Sequence, residues 1–394
     1  MIPDYYEFCN SAKIVSGSKA LEHIGYELAA LGASKPLVLT NKQLLELKVA
    51  TVVLDALKDT EAEVVAVYDD VPVDSSVAVV NDVARVYRET GADAIVAVGG
   101  GSVLDTAKGA TIVLTHGAED LMDYRGAESL MGRRAIAFIA IPTTAGTGSE
   151  VTSAAVIKDT ERHVKMGFTS LSLLPDVAIL DPRMTTGLPL RLTASTAMDA
   201  LTHAVESFSC VQANPLSDGY SRAAIDLIRE YLPKVMTDSK DPKVRLALAN
   251  AALLAGAAFS NAMVGIVHAI GHATGGVAGV PHGDAMAILL PHGMEFNLGC
   301  AGDRYGELLL NLAGAEVYAS TPREERPAAA IEAVRAMMRA HHEQAGLPLT
   351  LTEAGVLPEQ VPDIAKAALN DGAMSMNPKQ PTYEEVVEIL KAAL

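Results

Sequence analysis

Tryptophan is absent from this chain of 394 residues, and phenylalanine and tyrosine together make up only 4% of it. Its cores must therefore be packed by aliphatic side chains and methionine. Such side chains are plentiful, since hydrophobic residues make up 49% of the chain. Because domains usually contain about 100–200 residues, the length predicts two domains, each with a core of its own.

Cysteine is also scarce. The three cysteines, Cys9, Cys210 and Cys300, are odd in number, lie far apart in the chain and form no Cys-x-x-Cys pair. Such a set is not expected to build a disulfide framework or a thiolate metal site. It favours reduced thiols in a reducing compartment.

Positive charge is in deficit, with 31 Lys and Arg against 48 Asp and Glu and a net charge of −17. We expect neither a nucleic-acid nor a membrane partner, because their phosphates attract basic surfaces. Residues 1–20 lack the apolar stretch of a signal peptide, and polar residues interrupt the apolar window 245–270. These features predict a cytoplasmic protein.

The first half of the chain alternates short β-branched runs with helical patterns. Strands that are apolar throughout, separated by helices, are typical of a parallel sheet covered on both faces. Residues 151–180 interrupt this alternation, and they predict a hairpin that turns at Lys158-Asp159-Thr160. The predicted strands are 36–40, 63–69, 94–101, 134–144 and 177–181, and the predicted helices are 42–58, 76–90 and 103–115.

Strand patterns disappear after Leu190, and Ala, Leu, Met and Glu recur at helical spacing. The TTGLPL segment before this point contains Gly187 and Pro189, which mark a break. We therefore predict an α/β domain over 1–187 and an all-helical domain of seven to nine helices over 188–394.

A glycine turn follows the predicted strand 94–101, in the segment AIVAVGGGSVLDTAK. Gly99, Gly100 and Gly101 would let a diphosphate approach the backbone, and the free N–H groups of the next helix would face it. Asp105 would repel phosphate, so we expect it to cap the helix or fix the turn. A purely structural tight turn is the alternative interpretation.

A second loop of small residues, IPTTAGTGSE (141–150), also follows a buried strand. Its hydroxyls and glycines suit a ligand with several phosphates and hydroxyls, although an ordinary polar connection would look similar. Neither loop has the Gly-x-Gly-x-x-Gly fingerprint. Together they predict a nucleotide site at neighbouring strand ends.

The helical half concentrates imidazole groups. Four of the ten histidines fall in two short segments rich in alanine and glycine, and a fifth forms an Asp/His pair that is spaced for one helix face. A carboxylate with several imidazoles suits Fe(II), Zn(II), Mn(II), Co(II) or Ni(II). Spacing alone leaves the ligands open, and single core histidines are the alternative. The candidates are Asp199, His203, His268, His272, His282 and His292, the last two each within a PHG turn.

Taken together, these segments resemble the iron-containing (group III) alcohol dehydrogenase family. The similarity rests on VGGGSVLDTAK, PTTAGTGSEVT, TAMDALTHAVE, FSNAMVGIVHAIGH, PHGDAMAILLPHGMEFN and the C-terminal NPK, in that order along nearly the whole chain. It implies a Rossmann-like nucleotide-binding domain and an all-α metal domain, in a dehydroquinate-synthase-like architecture. In such proteins the active site lies between the two domains.

Carried over position by position, the resemblance implies Asp199, His203, His268 and His282 as metal ligands. It implies a catalytic position near the nicotinamide for His272, a structural role for His292, and a place in the substrate pocket for Phe259. The implied cofactor contacts are Gly100, Gly101, Ser102, Thr143, Thr144, Thr147 and Lys165.

Two positions depart from the family pattern. Asn41 stands where an aspartate usually binds the adenosine ribose, so it can bond a hydroxyl but lacks the charge that repels a 2′-phosphate. Asp74 stands where an asparagine is common, and both Asn41 and Asp74 are expected to contact the nucleotide. The implied cofactors are Fe2+, or Zn, Mn, Co or Ni in its place, and NAD(H), with NADP(H) left open by Asn41.

The implied reaction is hydride transfer between a nicotinamide and a primary alcohol, diol or aldehyde. A glycerol-dehydrogenase-like polyol dehydrogenase is the nearer alternative. A dehydroquinate-synthase-type lyase is the more distant one, because no Lys/Arg cluster lies beside the histidines. The resemblance also implies a homodimer or a larger homo-oligomer.

Overall fold

The structure, a computed structural model, describes residues 3–125, 130, 132, 134–162 and 164–394. Two compact units can be distinguished by their internal contacts. The first comprises Cys9–Gly187 and Lys240–Leu253. The second comprises Leu188–Ser239 and Leu254–Leu394, together with a short segment that ends at Phe8.

The first unit is built on a six-stranded sheet in which every pairing is parallel, as predicted. The strands of this unit are β1 (Lys13–Ser16), β2 (Pro36–Leu39), β3 (Ala66–Tyr68), β4 (Ala94–Gly99), β5 (Ala137–Pro142), β6 (Ala154–Asp159), β7 (Val164–Thr169) and β8 (Val177–Leu180). The strands of the sheet follow the spatial order β1-β8-β5-β4-β2-β3. Apolar clusters cover the sheet on both faces, which explains why β2, β4 and β8 are buried along their whole length.

Five helices connect these strands: α1 (Ile24–Ala30), α2 (Lys42–Glu46), α3 (Val49–Lys58), α4 (Val77–Thr90) and α5 (Gly101–His116). The single helix predicted over 42–58 is wrong, because the chain breaks between α2 and α3. Lys48 adopts a left-handed conformation there, with φ of 60°, which no continuous right-handed helix can contain. Strand β1, which pairs with β8 at the edge of the sheet, was not predicted.

The predicted hairpin is present as the antiparallel pair β6–β7. Its turn begins later than expected, because Lys158 and Asp159 still pair with residues of β7. The Asp159 carboxylate accepts hydrogen bonds from the backbone N–H groups of Glu161 and Arg162, both at 3.0 Å. This local bonding is the type by which aspartate starts a turn.

Within residues 188–394, all of which the structure describes, there are nine α-helices, as the sequence predicted. The helices are α6 (Leu190–Ser209), α7 (Pro215–Thr237), α8 (Pro242–Ala262), α9 (Ile266–Ala278), α10 (His282–Ala313), α11 (Ala315–Ser320), α12 (Arg326–Ala345), α13 (Val361–Leu369) and α14 (Tyr383–Ala393). His292 does not lie in a turn as expected: Pro291, His292 and Gly293 are inside the long α10, whereas His282 begins it.

Helix α8 is long and apolar enough to span a membrane by length and composition, the one such helix among the described residues. Most of its apolar stretch is buried inside the protein. A core helix of a folded domain has the same composition, so this helix is weak evidence for a membrane partner.

A buried histidine on α12 makes stability depend on pH. The His341 side chain is almost fully buried, and neither ring nitrogen has a hydrogen-bond partner among the described residues. Burial lowers its pKa from 6.5 to about 4. Below pH 6.5 the unfolded chain therefore binds a proton that the folded chain does not bind, and stability is lost as the pH falls towards 4.

Between pH 7 and 4, His341 should lower the free energy of unfolding of the wild type by about 2–3 kcal/mol. The variant His341→Leu should not show this part of the loss. The measurement is the free energy of unfolding in urea across that range, for the wild type and the variant. His23→Leu, at an exposed position, serves as the control. Parallel pH curves for the wild type and His341→Leu would contradict the prediction.

Candidate metal and nucleotide sites

Helix α6 aligns three ionisable side chains on one face. Asp199, His203 and Glu206 are spaced by four and three residues, so they return to the same side of the helix. All three are buried. Asp199 and His203 were predicted as ligands from the sequence. Glu206 was missed, although its spacing is visible in TAMDALTHAVE.

The predicted donors from α6, α9 and α10 come together. Ligand atoms of Asp199, His268 and His282 all lie within 4.8 Å of one another. The Asp199 Oδ1 atom is 3.3 Å from His282 Nε2 and 3.9 Å from His268 Nε2. His203 lies beside this group, with its Nε2 also 3.9 Å from Asp199 Oδ1 and its ring stacked on that of His268.

The donors suit a divalent transition metal ion. Asp199 Oδ1 and His268 Nε2 are buried, face each other and have no hydrogen-bond partner among the described residues. Burying such atoms unpaired is costly, and a cation between them would remove that cost. Three imidazoles and a carboxylate form a donor set for Fe(II), Zn(II), Mn(II), Co(II) or Ni(II).

Protonation also favours metal binding. Burial lowers the pKa of His203 to about 3, and it lowers the pKa of His268 well below its usual value. Burial by itself would raise the pKa of Asp199, but the facing imidazoles of His203 and His282 hold that pKa below its usual value. Neutral imidazoles and an ionised carboxylate are the forms that bind metal.

One side of the cluster is accessible. The His282 and His272 side chains are 41% and 37% exposed, whereas those of Asp199 and His268 are buried. The His272 and His282 rings stack with centroids 5.4 Å apart. A small molecule could therefore reach the donors from the side where these two rings lie.

The start of α10 fixes the position of His282. A Cβ atom on Gly283 would lie 2.5 Å from the Ser195 backbone oxygen, so only glycine permits this approach to α6. The next residue, Asp284, accepts hydrogen bonds from Ser195 Oγ at 2.7 Å and from the Arg191 guanidinium at 2.6 and 2.7 Å. The PHGD motif thus places its histidine through the two residues that follow it.

Gly283→Ala should therefore displace the first turn of α10. We expect it to lower the free energy of unfolding by about 1–3 kcal/mol, the usual cost of overpacking, and to weaken metal binding. Urea unfolding and a metal titration measure the two effects. The control is Gly276→Ala in α9, where an added Cβ meets nothing within 4 Å and should stabilise the helix. Equal unfolding free energies and equal metal affinities in Gly283→Ala and Gly276→Ala would contradict this explanation of the PHGD motif.

The start of α9 is held by Glu206 and by the C-terminal NPK segment. The Glu206 carboxylate accepts hydrogen bonds from the Val267 and His268 backbone N–H groups at 2.7 and 3.3 Å, and it lies 2.6 Å from His268 Nδ1. Burial raises its pKa to about 7. Asn377 Oδ1 accepts the Ile266 N–H at 3.2 Å.

His272, predicted as the catalytic histidine, has a carboxylate partner that the sequence did not indicate. Its Nδ1 lies 2.9 Å from Asp371 Oδ2, 99 residues further along the chain. Burial alone would raise the pKa of Asp371, but its hydrogen bond with His272 and the His272 charge lower it. The contact with Asp371 uses the Nδ1 atom of His272, so the Nε2 atom of the ring takes no part in it.

The remaining two predicted positions of this unit are Phe259 and His292. The Phe259 ring stacks on that of His203, with centroids 4.2 Å apart, so it lies beside the cluster. His292 Nδ1 faces Glu295 Oε2 at 3.9 Å, a contact within α10. This contact is compatible with the structural role expected for His292.

In the first unit, the two small-residue loops adjoin. Strands β4 and β5 end in register, Gly99 opposite Pro142, and the Thr143 N–H donates to the Gly99 oxygen at 3.1 Å. A Cβ on Gly100 would lie 3.3 Å from the Thr144 side chain, and one on Gly101 would lie 3.1 Å from that of Thr147. The missing Cβ atoms keep the loops in close contact.

The strand order reverses between β2 and β4, so the loops that follow these strands flank the switch point where open α/β sheets bind ligands. Asn41 lies after β2 and caps α2, its Oδ1 accepting the Leu44 N–H at 2.9 Å. Ser102 Oγ, at the start of α5, donates to the Val73 oxygen. The capping bond commits the Asn41 oxygen and leaves its amide N–H groups for a ligand.

Asp74 and Lys165 pair with each other at 2.8 Å, and each side chain is about half exposed. The pair connects β7 with the loop that precedes α4. Both residues were predicted as separate nucleotide contacts, and the structure shows that their charges compensate each other.

A buried ionic group on α5 was missed by the sequence analysis. Lys108 donates hydrogen bonds to Ser149 Oγ and Thr152 Oγ1, both at 2.9 Å, and to the Ala154 oxygen at 2.7 Å. Burial lowers its pKa to about 8, and burial raises that of Glu150 to about 7. The i, i+3 spacing of Asp105 and Lys108 in an otherwise apolar helix was the available signal.

Asp105 has a different role from the one expected. It caps no helix: its oxygens accept hydrogen bonds from Ser149 Oγ and from the Val156 N–H, both at 2.9 Å. Because Asp105 and Lys108 both bind Ser149, they anchor the end of the second loop to α5. Burial raises the pKa of Asp105, which opposes its charged form at this position.

The α/β unit and the carboxylate–imidazole cluster together define a class of metal-dependent enzyme with a nucleotide-binding fold. Comparison with known proteins identifies the family. Residues 11–182 match the model for iron-containing alcohol dehydrogenases, and residues 193–394 match that for the C-terminal part of the Fe-containing alcohol dehydrogenase family.

Two curated relatives are similar over their full length. The NAD-dependent methanol dehydrogenase of Bacillus methanolicus is 34% identical, and the match covers 96% of this chain and 97% of the relative's length. The 1,3-propanediol dehydrogenase of Klebsiella pneumoniae is 37% identical, over 96% of each. A solved 1,3-propanediol oxidoreductase superposes with a TM-score of 0.93 at 35% identity, over 99% of this chain and 100% of its own.

The chain therefore belongs to the iron-containing alcohol dehydrogenase family. It is an oxidoreductase that acts on alcohols or aldehydes, as the resemblance implied. The predicted architecture, a parallel-sheet unit followed by a helical one, is confirmed as well.

Proposed function

We propose that this enzyme transfers a hydride between NAD(H) and a short primary alcohol, diol or aldehyde, with Fe2+ held by Asp199, His203, His268 and His282. The facing, buried and unpartnered Asp199 Oδ1 and His268 Nε2 support the metal site most directly. When bound, the metal supplies a Lewis acid for the alcohol or carbonyl oxygen, and the nicotinamide exchanges the hydride.

The protein contributes by holding the charged carboxylate of Asp199 in a buried site. Asp199 brings one negative charge beside the neutral imidazoles of His203 and His268, so a divalent ion held by these four ligands would keep net positive charge. That charge would favour the oxyanion form of an alcohol over the neutral form. Exclusion of water by the buried side strengthens the effect, because electrostatic interactions are larger at low dielectric.

His272 is proposed to exchange the hydroxyl proton. Its Nδ1 is engaged with Asp371, so the proton is taken up and released at Nε2. The side chain is 37% exposed, which gives a path to solvent. A carboxylate on the far side of an imidazole holds the ring in one tautomer and orientation, which general acid–base catalysis requires.

The cofactor is proposed to lie on the loops after β2, β4 and β5. The N-terminus of α5, a helix of 16 residues, offers free N–H groups and a positive dipole end to a diphosphate. Gly100 and Gly101 allow that approach, while Ser102, Thr143, Thr144 and Thr147 offer hydroxyls. The Asp74–Lys165 pair and Asn41 are proposed to contact the nucleotide at its edges.

The relatives support the proposed substrate class. Curated relatives are named for methanol, 1,3-propanediol and lactaldehyde, all short molecules with an alcohol or aldehyde group. Phe259, stacked on His203, would place an apolar wall beside such a substrate. A polyol preference like that of glycerol dehydrogenase is the competing proposal.

The test is a panel of short alcohols, diols, glycerol and aldehydes, assayed in both directions by nicotinamide absorbance. It uses protein of measured metal content, with NAD(H) and NADP(H) in parallel. Metal-dependent turnover of primary alcohols or diols above glycerol is the expected result. Turnover that does not change when metal is removed would contradict the proposal.

Asn41→Asp should sharpen the preference for NAD(H) over NADP(H). An aspartate also caps α2, so the fold should tolerate it, but its charge repels a 2′-phosphate. We expect the ratio of kcat/KM for the two cofactors to shift towards NAD(H) by about tenfold, equivalent to about 1.4 kcal/mol. Gln43→Glu adds the same charge two residues away as a control. An unchanged ratio in Asn41→Asp would refute the charge argument.

We further propose a cytoplasmic homodimer or larger homo-oligomer, without nucleic-acid or membrane partners. The net charge of −17 and the three cysteines, none of which is disulfide-bonded, support this environment. Light scattering coupled to size-exclusion chromatography measures the oligomeric state, and a purely monomeric mass would contradict the proposal.

A further inference from the structure

Glu206 links two of the helices that provide metal donors. It lies on α6 with Asp199 and His203, yet its carboxylate contacts the start of α9, 61 and 62 residues further along the chain. One oxygen, Oε1, accepts the Val267 N–H at 2.7 Å. The other, Oε2, accepts the His268 N–H at 3.3 Å and lies 2.6 Å from His268 Nδ1.

A second side chain, that of Asn377, also binds the start of α9. Asn377 accepts the Ile266 N–H, and it is itself fixed by a reciprocal amide pair with Asn297 at 2.8 and 2.9 Å. A Cβ on Gly265 would lie 2.7 Å from Asn377 Oδ1 and 3.2 Å from Glu206 Oε1. The first three N–H groups of α9 are thus bound by buried acceptors from elsewhere in this unit.

The contact with Nδ1 determines what His268 can offer to a metal. A neutral imidazole has one N–H and one lone pair. Because Glu206 is an acceptor at Nδ1, the proton is held there and the lone pair is placed on Nε2. That atom is buried, lies 3.9 Å from Asp199 Oδ1 and has no hydrogen-bond partner among the described residues.

We propose that Glu206 is a positioning residue for the metal: it sets the tautomer and the ring direction of His268, whereas Asn377 only holds the beginning of α9. Carboxylates behind metal-binding histidines act in this way, and their loss costs about 10- to 100-fold in metal affinity or activity. This inference rests on the metal site proposed above.

The test compares Glu206→Gln with Asn377→Ala. A glutamine side chain has a single acceptor oxygen, so it cannot accept from both the Val267 N–H and the His268 imidazole, which use different oxygens of Glu206. We expect its dissociation constant for Zn2+, from chelator competition, to rise about 10- to 100-fold. The visible spectrum of the Co2+-loaded variant should also differ from that of the wild type. Asn377→Ala removes the Ile266 bond and the amide pair with Asn297 but no contact with the His268 ring, and it should bind Zn2+ within about threefold of the wild type.

Glu230→Gln, an exposed position on α7, is the control for the substitution itself. If Glu206→Gln keeps both the Zn2+ affinity and the Co2+ spectrum of the wild type, the proposal is overturned. Equal weakening in Glu206→Gln and Asn377→Ala would also overturn it, since capping of α9 would then explain both. A wild-type chain that binds no metal would instead contradict the metal site itself.

Should Glu206→Gln fail to fold, Glu206→Asp replaces it. The shorter side chain keeps the charge but cannot reach the Val267 N–H and the His268 ring together. Weakened Zn2+ binding in folded Glu206→Asp would support the proposal, and affinity equal to that of the wild type would overturn it.

Discussion

Replacing His268 by alanine is expected to abolish both metal binding and turnover. The variant loses the Nε2 donor that faces Asp199 Oδ1 and leaves that buried oxygen without an imidazole on this side. Lewis-acid stabilisation amounts to several kcal/mol, so we expect kcat/KM to fall at least about a thousandfold. Metal per chain is measured by elemental analysis, and activity by nicotinamide absorbance.

His292→Ala is the matched control, because His292 is also a histidine of the helical unit but contacts Glu295 within its own helix. It should keep its metal and most of its activity. A metal-free His268→Ala preparation with full activity would refute the role of the metal in this enzyme.

Replacing His272 by alanine should lower the rate of turnover but leave the metal bound, unlike the replacement of His268. The ring stacks on that of His282 but stands outside the group of close donor atoms. General acid–base catalysis is typically worth about 10²–10⁴-fold, and we expect kcat to fall within this range. The measurements are metal content and steady-state kinetics on the same preparation.

His116→Ala, a change to a histidine of the α/β unit that stacks on Tyr124, controls for loss of an imidazole elsewhere. If His272→Ala lost its metal, the ligand assignment would be wrong, and His272 would replace one of the three proposed histidines. If it kept both metal and rate, the proton-transfer role would be wrong.

The proposed metal donors come from three helices, and buried polar contacts fix the starting points of two of them, α9 and α10. Gly283 and Asp284 fix the start of α10 against α6, and Glu206 and Asn377 fix the start of α9. Buried hydrogen bonds of this kind are costly to leave half-made, so each helix has one favourable position. The cluster is therefore held by contacts that make no use of the metal.

Much of the architecture could be predicted from the sequence. Strands buried on both faces are apolar along their length, and this pattern indicated β2, β4, β5 and β8 and a parallel sheet. Patterns of this kind do not report local backbone conformation or edge pairing. The left-handed Lys48 and the edge strand β1 were missed for this reason.

The two PHG motifs show the same limit at the level of single residues. His282 begins α10, whereas Pro291 and His292 lie inside it, although the tripeptides are identical. A proline in a helix interior lacks one N–H and usually ends or bends the helix. Here Pro291 is buried and α10 continues through it, so tertiary packing outweighed the local preference.

Residues with the chemistry of a metal and nucleotide enzyme could be recognised in the sequence, because Asp199 and His203 are spaced to share one face of a helix. Which histidines meet depends on how the helices pack, and the structure showed that Glu206 and Asp371 bind His268 and His272. These pairs are separated by 62 and 99 residues. No helical or strand period relates residues so far apart, because packing of the helices alone determines their contacts.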